Sequence, residues 1–160
     1  MTTIWKRLKL WIKPDYIGWL LVVLGVVLRL RQYLADRSLW HDEANLAINL
    51  VNRTFSGLTL PLDYQQGAPI GFLFIEKSIL LLLGNKDYIL RSFPLFSGLL
   101  SLILIRLIVR RYFGATGLFA VLIFAISWPL IYYSSELKQY SSDAMFALLL
   151  IYLALRFAEE

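Results

Sequence analysis

The chain has 160 residues, 59% of them hydrophobic and 17% charged, with no cysteine and a single histidine. A soluble domain carries roughly a quarter charged residues, so this composition, with a mean hydropathy of +0.65, predicts an all-α integral membrane protein and excludes a disulfide framework, a thiolate metal site and a multi-histidine metal cage. The net charge of +5 does not point to nucleic acid, because the cations flank apolar runs and form no basic stripe with stacking aromatics.

Lys6, Arg7, Lys9 and Lys13 precede the first apolar run, and Ile4, Trp5, Leu8, Trp11 and Ile12 supply a lipid-side face. This reads as a basic amphipathic segment on the cytoplasmic surface. The apolar run that follows is too long for a cleavable signal peptide, and no small-x-small site follows Leu34. A helix needs ~20 mainly apolar residues to cross a bilayer. Residues 16–34 meet that requirement and predict the first span. Arg29 and Arg31 lie near its outer end, where long side chains snorkel to headgroups. The alternative is that one of them grips a lipid-linked phosphate bidentately.

Just past this span comes Trp40-His41-Asp42-Glu43-Ala44. Carboxylates at bilayer depth are expensive and usually functional. The plainer role is an N-cap at Asp42 with Glu43 as a first-turn acid, and the two roles are compatible because capping orients a carboxylate. From there Ala44, Ala47, Ile48 and Val51 form a helical stripe while Asn45, Asn49, Asn52 and Arg53 face away, which predicts a short helix along the membrane surface. Residues 54–67 read as a flexible polar loop. Ala68 to Leu83 starts near Pro69 and stops at Gly84-Asn85, fitting helix boundary chemistry.

Charge parity arranges the rest. The N-terminal lysines and Arg110-Arg111 lie on one side only if an even number of crossings separates them. Residues 68–83 therefore read as a helix in the outer interface, with Glu76 and Lys77 turned to water. Residues 88–109 supply the second span, the uncharged run 113–135 the third, and 140–157 the fourth. The external segment 35–87 and the loop 132–142 then share the outer side, which brings Glu136 to the same face as Asp42. The acid, lysine and hydroxyls of that loop also fit a plain solvated turn.

Several pieces in this order resemble a known family. They are Arg29-Leu30-Arg31, then Ser38-Leu39-Trp40-His41-Asp42-Glu43-Ala44, Gly67-Ala68-Pro69-Ile70, Leu82-Leu83-Gly84 with Arg91 downstream, Arg110-Arg111-Tyr112-Phe113-Gly114, and Ile131-Tyr132-Tyr133-Ser134-Ser135-Glu136-Leu137-Lys138-Gln139-Tyr140. Together they resemble the N-terminal part of a GT-C superfamily glycosyltransferase, in the bacterial branch related to protein O-mannosyltransferases and the lipid A aminoarabinose transferase. The likeness covers nearly all of the chain from the first span onward. Ala68 departs from it, since many relatives carry a second proline there.

The resemblance implies a polyprenyl-phosphate sugar donor and inverting transfer to a hydroxyl of a lipid, protein or glycan. It places the site outside the cytoplasm, on a bacterial plasma membrane. It implies that Asp42 and Glu43 are catalytic, with Asp42 the base, and that Arg29, His41, Arg91, Glu136 and Lys138 bind substrate. No dedicated metal ligand is expected, although the acids permit a weakly held Mg²⁺ or Mn²⁺. Relatives continue through many more spans that bind donor lipid and cap the site, so residues 1–160 are expected to be the N-terminal part of a GT-C-like domain and to need the C-terminal parts for transfer. The competing reading is a small non-catalytic membrane protein that binds polyprenyl phosphate or serves as an assembly subunit. A transporter is disfavoured because the charges cluster outside the spans.

Overall fold

The computed structural model describes residues 14–159, so the expected amphipathic segment over residues 4–12 lies outside the described residues. The elements are α1 (Pro14–Leu34), α2 (His41–Asn52), α3 (Ile70–Leu83), α4 (Asp87–Leu90), α5 (Ser92–Tyr112), α6 (Leu118–Ile126), α7 (Trp128–Tyr133) and α8 (Tyr140–Phe157). Three stretches are long and apolar enough to cross a membrane: Tyr16–Leu34, Asp87–Tyr112 and Tyr140–Phe157. They fall on the first, second and fourth expected spans, as an all-α membrane protein requires.

The expected third span, 113–135, is helical but interrupted. Ser127 leaves helical geometry at φ −59°, ψ 114°. Two residues on, Pro129 has no N–H to offer the Ala125 carbonyl. The run therefore divides into α6 and α7.

α5 packs along α8 and against α1, and α1 packs against α6. Glycine sets how closely these helices approach. A Cβ at Gly25 would come within 2.8 Å of Leu102, and one at Gly98 within 2.8 Å of the Ser134 Cβ. Small residues at such crossings are how membrane helices gain packing contact. One core, built on Val22, Leu102, Val121 and Ala125, holds α1, α5 and α6 together. A second joins Leu46, Leu50, Phe72, Leu73, Phe93 and Leu137, and it seats α2 beside the turn that precedes α8.

Three expectations are corrected here. Glu76 and Lys77 do not face water; they are 0% and 7% exposed. Lys77 turns inward because it has a partner, donating to the carbonyls of Leu50 at 2.8 Å and Val51 at 3.4 Å. Those carbonyls belong to the last turn of α2, where a cation offsets unpaired acceptors and the helix dipole. Neither oxygen of Glu76 has a hydrogen-bond partner, and burial pushes its carboxyl up to about 9. This value lies above the ordinary 4.5, so the stability held with the proton bound is lost as pH rises through that interval. Glu76→Leu is expected to raise the unfolding temperature in detergent, by more at pH 9 than at pH 6. An equal or lower unfolding temperature at pH 9 would contradict this.

The buried face of α2 also differs from the expected stripe. Ile48 and Val51 are exposed, whereas Asn45 and Asn49 are buried with Leu46 and Leu50. Asn49 can turn inward because its amide is satisfied there. It donates to the Asn45 carbonyl at 2.9 Å and accepts from the Asp63 N–H at 2.9 Å. The segment 54–67 is correspondingly built, with two short 3₁₀ turns and an Arg53–Asp63 ion pair at 2.9 Å.

Arg29, finally, does not snorkel. It is 0% exposed, and it donates to the carbonyls of Gly25 at 3.1 Å, Ala125 at 3.2 Å and Phe124 at 3.2 Å. Arg31 stays exposed in the last turn of α1.

Candidate active site

The start of α2, the junction of α4 and α5, and the turn between α7 and α8 come together at one end of the bundle. Trp40 is the N-cap of α2, so Asp42 lies inside the first turn and is not itself the cap. Glu43 stands three residues after the cap, and its Oε2 accepts the Trp40 N–H at 3.0 Å. That is the reach-back half of a capping box.

Glu43 is 1% exposed and Arg91 3%, and they form the centre of the assembly. Arg91 donates from Nε to Glu43 Oε1 at 3.0 Å and from Nη2 to Oε2 at 2.7 Å. This two-pronged fork fixes both partners. The same guanidinium donates to the carbonyls of Arg37 and of Ser38, the latter at 3.3 Å. On the other side, Glu43 Oε1 accepts the Leu137 N–H at 2.6 Å. One carboxylate thus ties α2 to α5 and to the α7–α8 turn. Burial alone would raise the Glu43 carboxyl. The hydrogen bonds from Arg91, Leu137 and Trp40 outweigh it and hold the group below its ordinary value.

Glu136 lies next to this pair and is held by Arg37 at 2.8 Å. Arg37 also stacks over the Tyr132 ring, 5.0 Å from its centroid. Burial first, and then the negative charge of Glu43, push the Glu136 carboxyl up to about 7, while Arg37 and Arg91 pull it back. Folding therefore raises the proton affinity, and stability drops as pH climbs from about 4.5 to about 7. Glu136→Gln should flatten unfolding temperature against pH over that range; an unchanged slope would assign the titration to another group.

Above the pair opens a cleft of about 280 Å³, lined among others by His41, Asp42, Tyr133, Glu136, Lys138 and Tyr140. Asp42 and His41 are exposed, and neither side chain takes a hydrogen bond or ion pair from a described residue. Lys138 donates to the Gln66 side chain at 2.9 Å, linking the 63–66 turn to the cleft wall. Of the residues expected at the site, the structure gathers His41, Asp42, Glu43, Glu136 and Lys138 around one opening. Arg91 sits directly beneath it. Arg29 is not among the residues that line it.

Arg37, Tyr133 and Tyr140 were not expected there. Tyr132, Tyr133 and Tyr140 all lie within the 131–140 stretch that resembles the family, which assigned them no role. Arg37 carried no signal, because its partner lies 99 positions downstream. Among the described residues, no group of three or more His, Asp or Glu could hold a metal ion.

A family profile described as dolichyl-phosphate-mannose-protein mannosyltransferase matches residues 67–160. The chain belongs to that family. Neither a search of curated proteins nor one of solved structures gives a match. Membership in this mannosyltransferase family implies membrane glycosyltransferase activity that uses a polyprenyl-phosphate-linked sugar. The matched stretch contains Arg91, Glu136, Leu137 and Lys138 but ends short of the acid pair on its N-terminal side. The structure joins the two, since both Arg91 and Leu137 donate to Glu43.

Proposed function

We propose that the chain is the N-terminal part of a GT-C-like domain, residues 1–160, with Asp42 as the general base of an inverting sugar transfer on the outer face of a bacterial plasma membrane. The asymmetry of the acid pair carries this reading. Glu43 is committed to four hydrogen bonds, whereas Asp42, one residue before it, is exposed at the cleft. Glu43 and Arg91 hold the wall, and Asp42 is open for chemistry.

In the proposed step the acceptor oxygen bonds to the anomeric carbon as the bond from that carbon to the donor phosphate oxygen breaks. The bonding pair leaves with the phosphate, and the hydroxyl proton passes to the Asp42 carboxylate. A base within hydrogen-bond reach serves such a displacement. Lys138, as a cation, and His41, as an N–H donor, face the cleft and are assigned to the departing phosphate, whose growing charge such positioned groups stabilise. Glu136, with Oε1 taken by Arg37, is assigned to a sugar hydroxyl through Oε2.

A Mg²⁺ or Mn²⁺, if used, would be held mainly by the donor phosphate and water, because Asp42 is assigned to the acceptor proton on the opposite face of the anomeric carbon. There it would neutralise leaving-group charge. The outward placement rests on Arg110, Arg111 and Arg156, which close α5 and α8 at their far ends, as cytoplasmic loops do.

The test is transfer of labelled mannose from a polyprenyl-phosphate donor by membranes that contain the protein of which this chain is the N-terminal part, with the anomeric configuration of the product read by NMR. Wild type should transfer with inversion, and Asp42→Asn at a rate lower by about 10²–10⁴-fold. Donor binding without any transfer by wild type would leave a lipid-phosphate-binding subunit as the better reading.

A further inference from the structure

We propose that Arg29 is a positioning residue for the transfer site. Its guanidinium caps the interrupted end of α6 and thereby sets where α7 and the 134–139 turn meet Glu43. The last four carbonyls of a helix have no donor within the helix. Phe124 and Ala125 lie in that last turn of α6, and Pro129 leaves the Ala125 carbonyl without the amide that a continuous helix would give it. Arg29 fills the gap from α1, donating to Ala125 and Phe124 at 3.2 Å each. A cation at a helix C-terminus is also favoured by the dipole.

Arg29 stands where the bundle's elements converge. A small internal cavity beside it is bounded by Gly98 and Ser101 of α5, Leu130 of α7 and Ser141 of α8. A Cβ on Gly98 would meet the Ser134 Cβ at 2.8 Å and the Arg29 Nε at 3.5 Å, so α5, α7 and this guanidinium are mutually fitted. From α7 the link to the site is short. Ser134 donates back to the Ile131 carbonyl at 2.6 Å to close α7, and three residues later the Leu137 N–H reaches Glu43. Arg29 makes none of the cleft contacts itself, so its effect on transfer is indirect.

The chain has no cysteine, so spin labels at Ile48→Cys and Trp128→Cys can report the distance between α2 and α7 in the full chain. Arg29→Lys, which keeps N–H donors, should preserve the wild-type distance and width. Arg29→Met, which has none, should shift or broaden the distribution. In transfer assays R29M should lower kcat at least tenfold with the donor KM within twofold, and R29K should recover a third or more of wild-type kcat.

A wild-type distribution with R29M, or equal damage from R29K and R29M, would overturn the proposal. If R29M gives no folded protein, R29K decides alone: it must keep both the distance and a third of kcat, and loss of either refutes the role. Only the kinetic arm rests on the transferase reading. If wild type transfers nothing, that reading fails while the distance measurement still decides this one.

Discussion

Replacing Arg91 with methionine is expected to destabilise the chain by about 3–5 kcal/mol, as removing one partner of a buried ion pair does. The cost comes chiefly from what is left behind. Glu43 would keep its charge in a site where it is 1% exposed, with only the amides of Trp40 and Leu137 to hold it. The carbonyls of Arg37 and Ser38 would lose their donor as well. Arg91→Met combined with Glu43→Leu should recover most of the loss, because an apolar pair of similar volume no longer buries a lone charge. Unfolding in detergent measures both. A single Arg91→Met variant within 1 kcal/mol of wild type would mean that the pair is not the hub of the assembly.

Asp42→Asn is expected to lower transfer by about 10²–10⁴-fold, the usual contribution of a positioned proton acceptor, with little change in unfolding temperature. The two readouts separate because the structure separates the roles of the two acids. Glu43, not Asp42, accepts the Trp40 N–H at the start of α2, so changing Asp42 leaves that hold and the Arg91 fork in place. Glu43→Gln should show the opposite balance, a clear loss of stability with an activity loss that follows the folded fraction. Equal transfer by wild type and Asp42→Asn at matched folded amounts would remove Asp42 from the chemistry.

What was legible in the sequence was what local composition decides. The spans at 16–34, 88–109 and 140–157 were visible as apolar length, and the end of α3 at Gly84 as a residue that tolerates φ 101°. Parity of charge across the spans put the acid pair and the Glu136 loop at one end, and the Leu137–Glu43 bond joins them there. Partners far along the chain were not legible. Arg29 looked like a snorkelling residue because its acceptors lie 95 and 96 positions away. Lys77 looked water-facing because the carbonyls it satisfies belong to α2. The asparagines of α2 faced inward against their polarity, since Asn49 finds both a donor and an acceptor on Asp63. The break at Ser127 did carry a signal in Pro129, outweighed in the reading by the length of the apolar run.

The chain's lack of cysteine also allows the most direct check of the shared cleft. Single cysteines at His41 and at Lys138 can be exposed to a membrane-impermeant maleimide on intact cells. Both should react from outside, at similar rates, and both should be protected by a polyprenyl-phosphate sugar. Reaction of one from outside and of the other only after permeabilisation would separate the two acidic clusters across the bilayer and contradict the site.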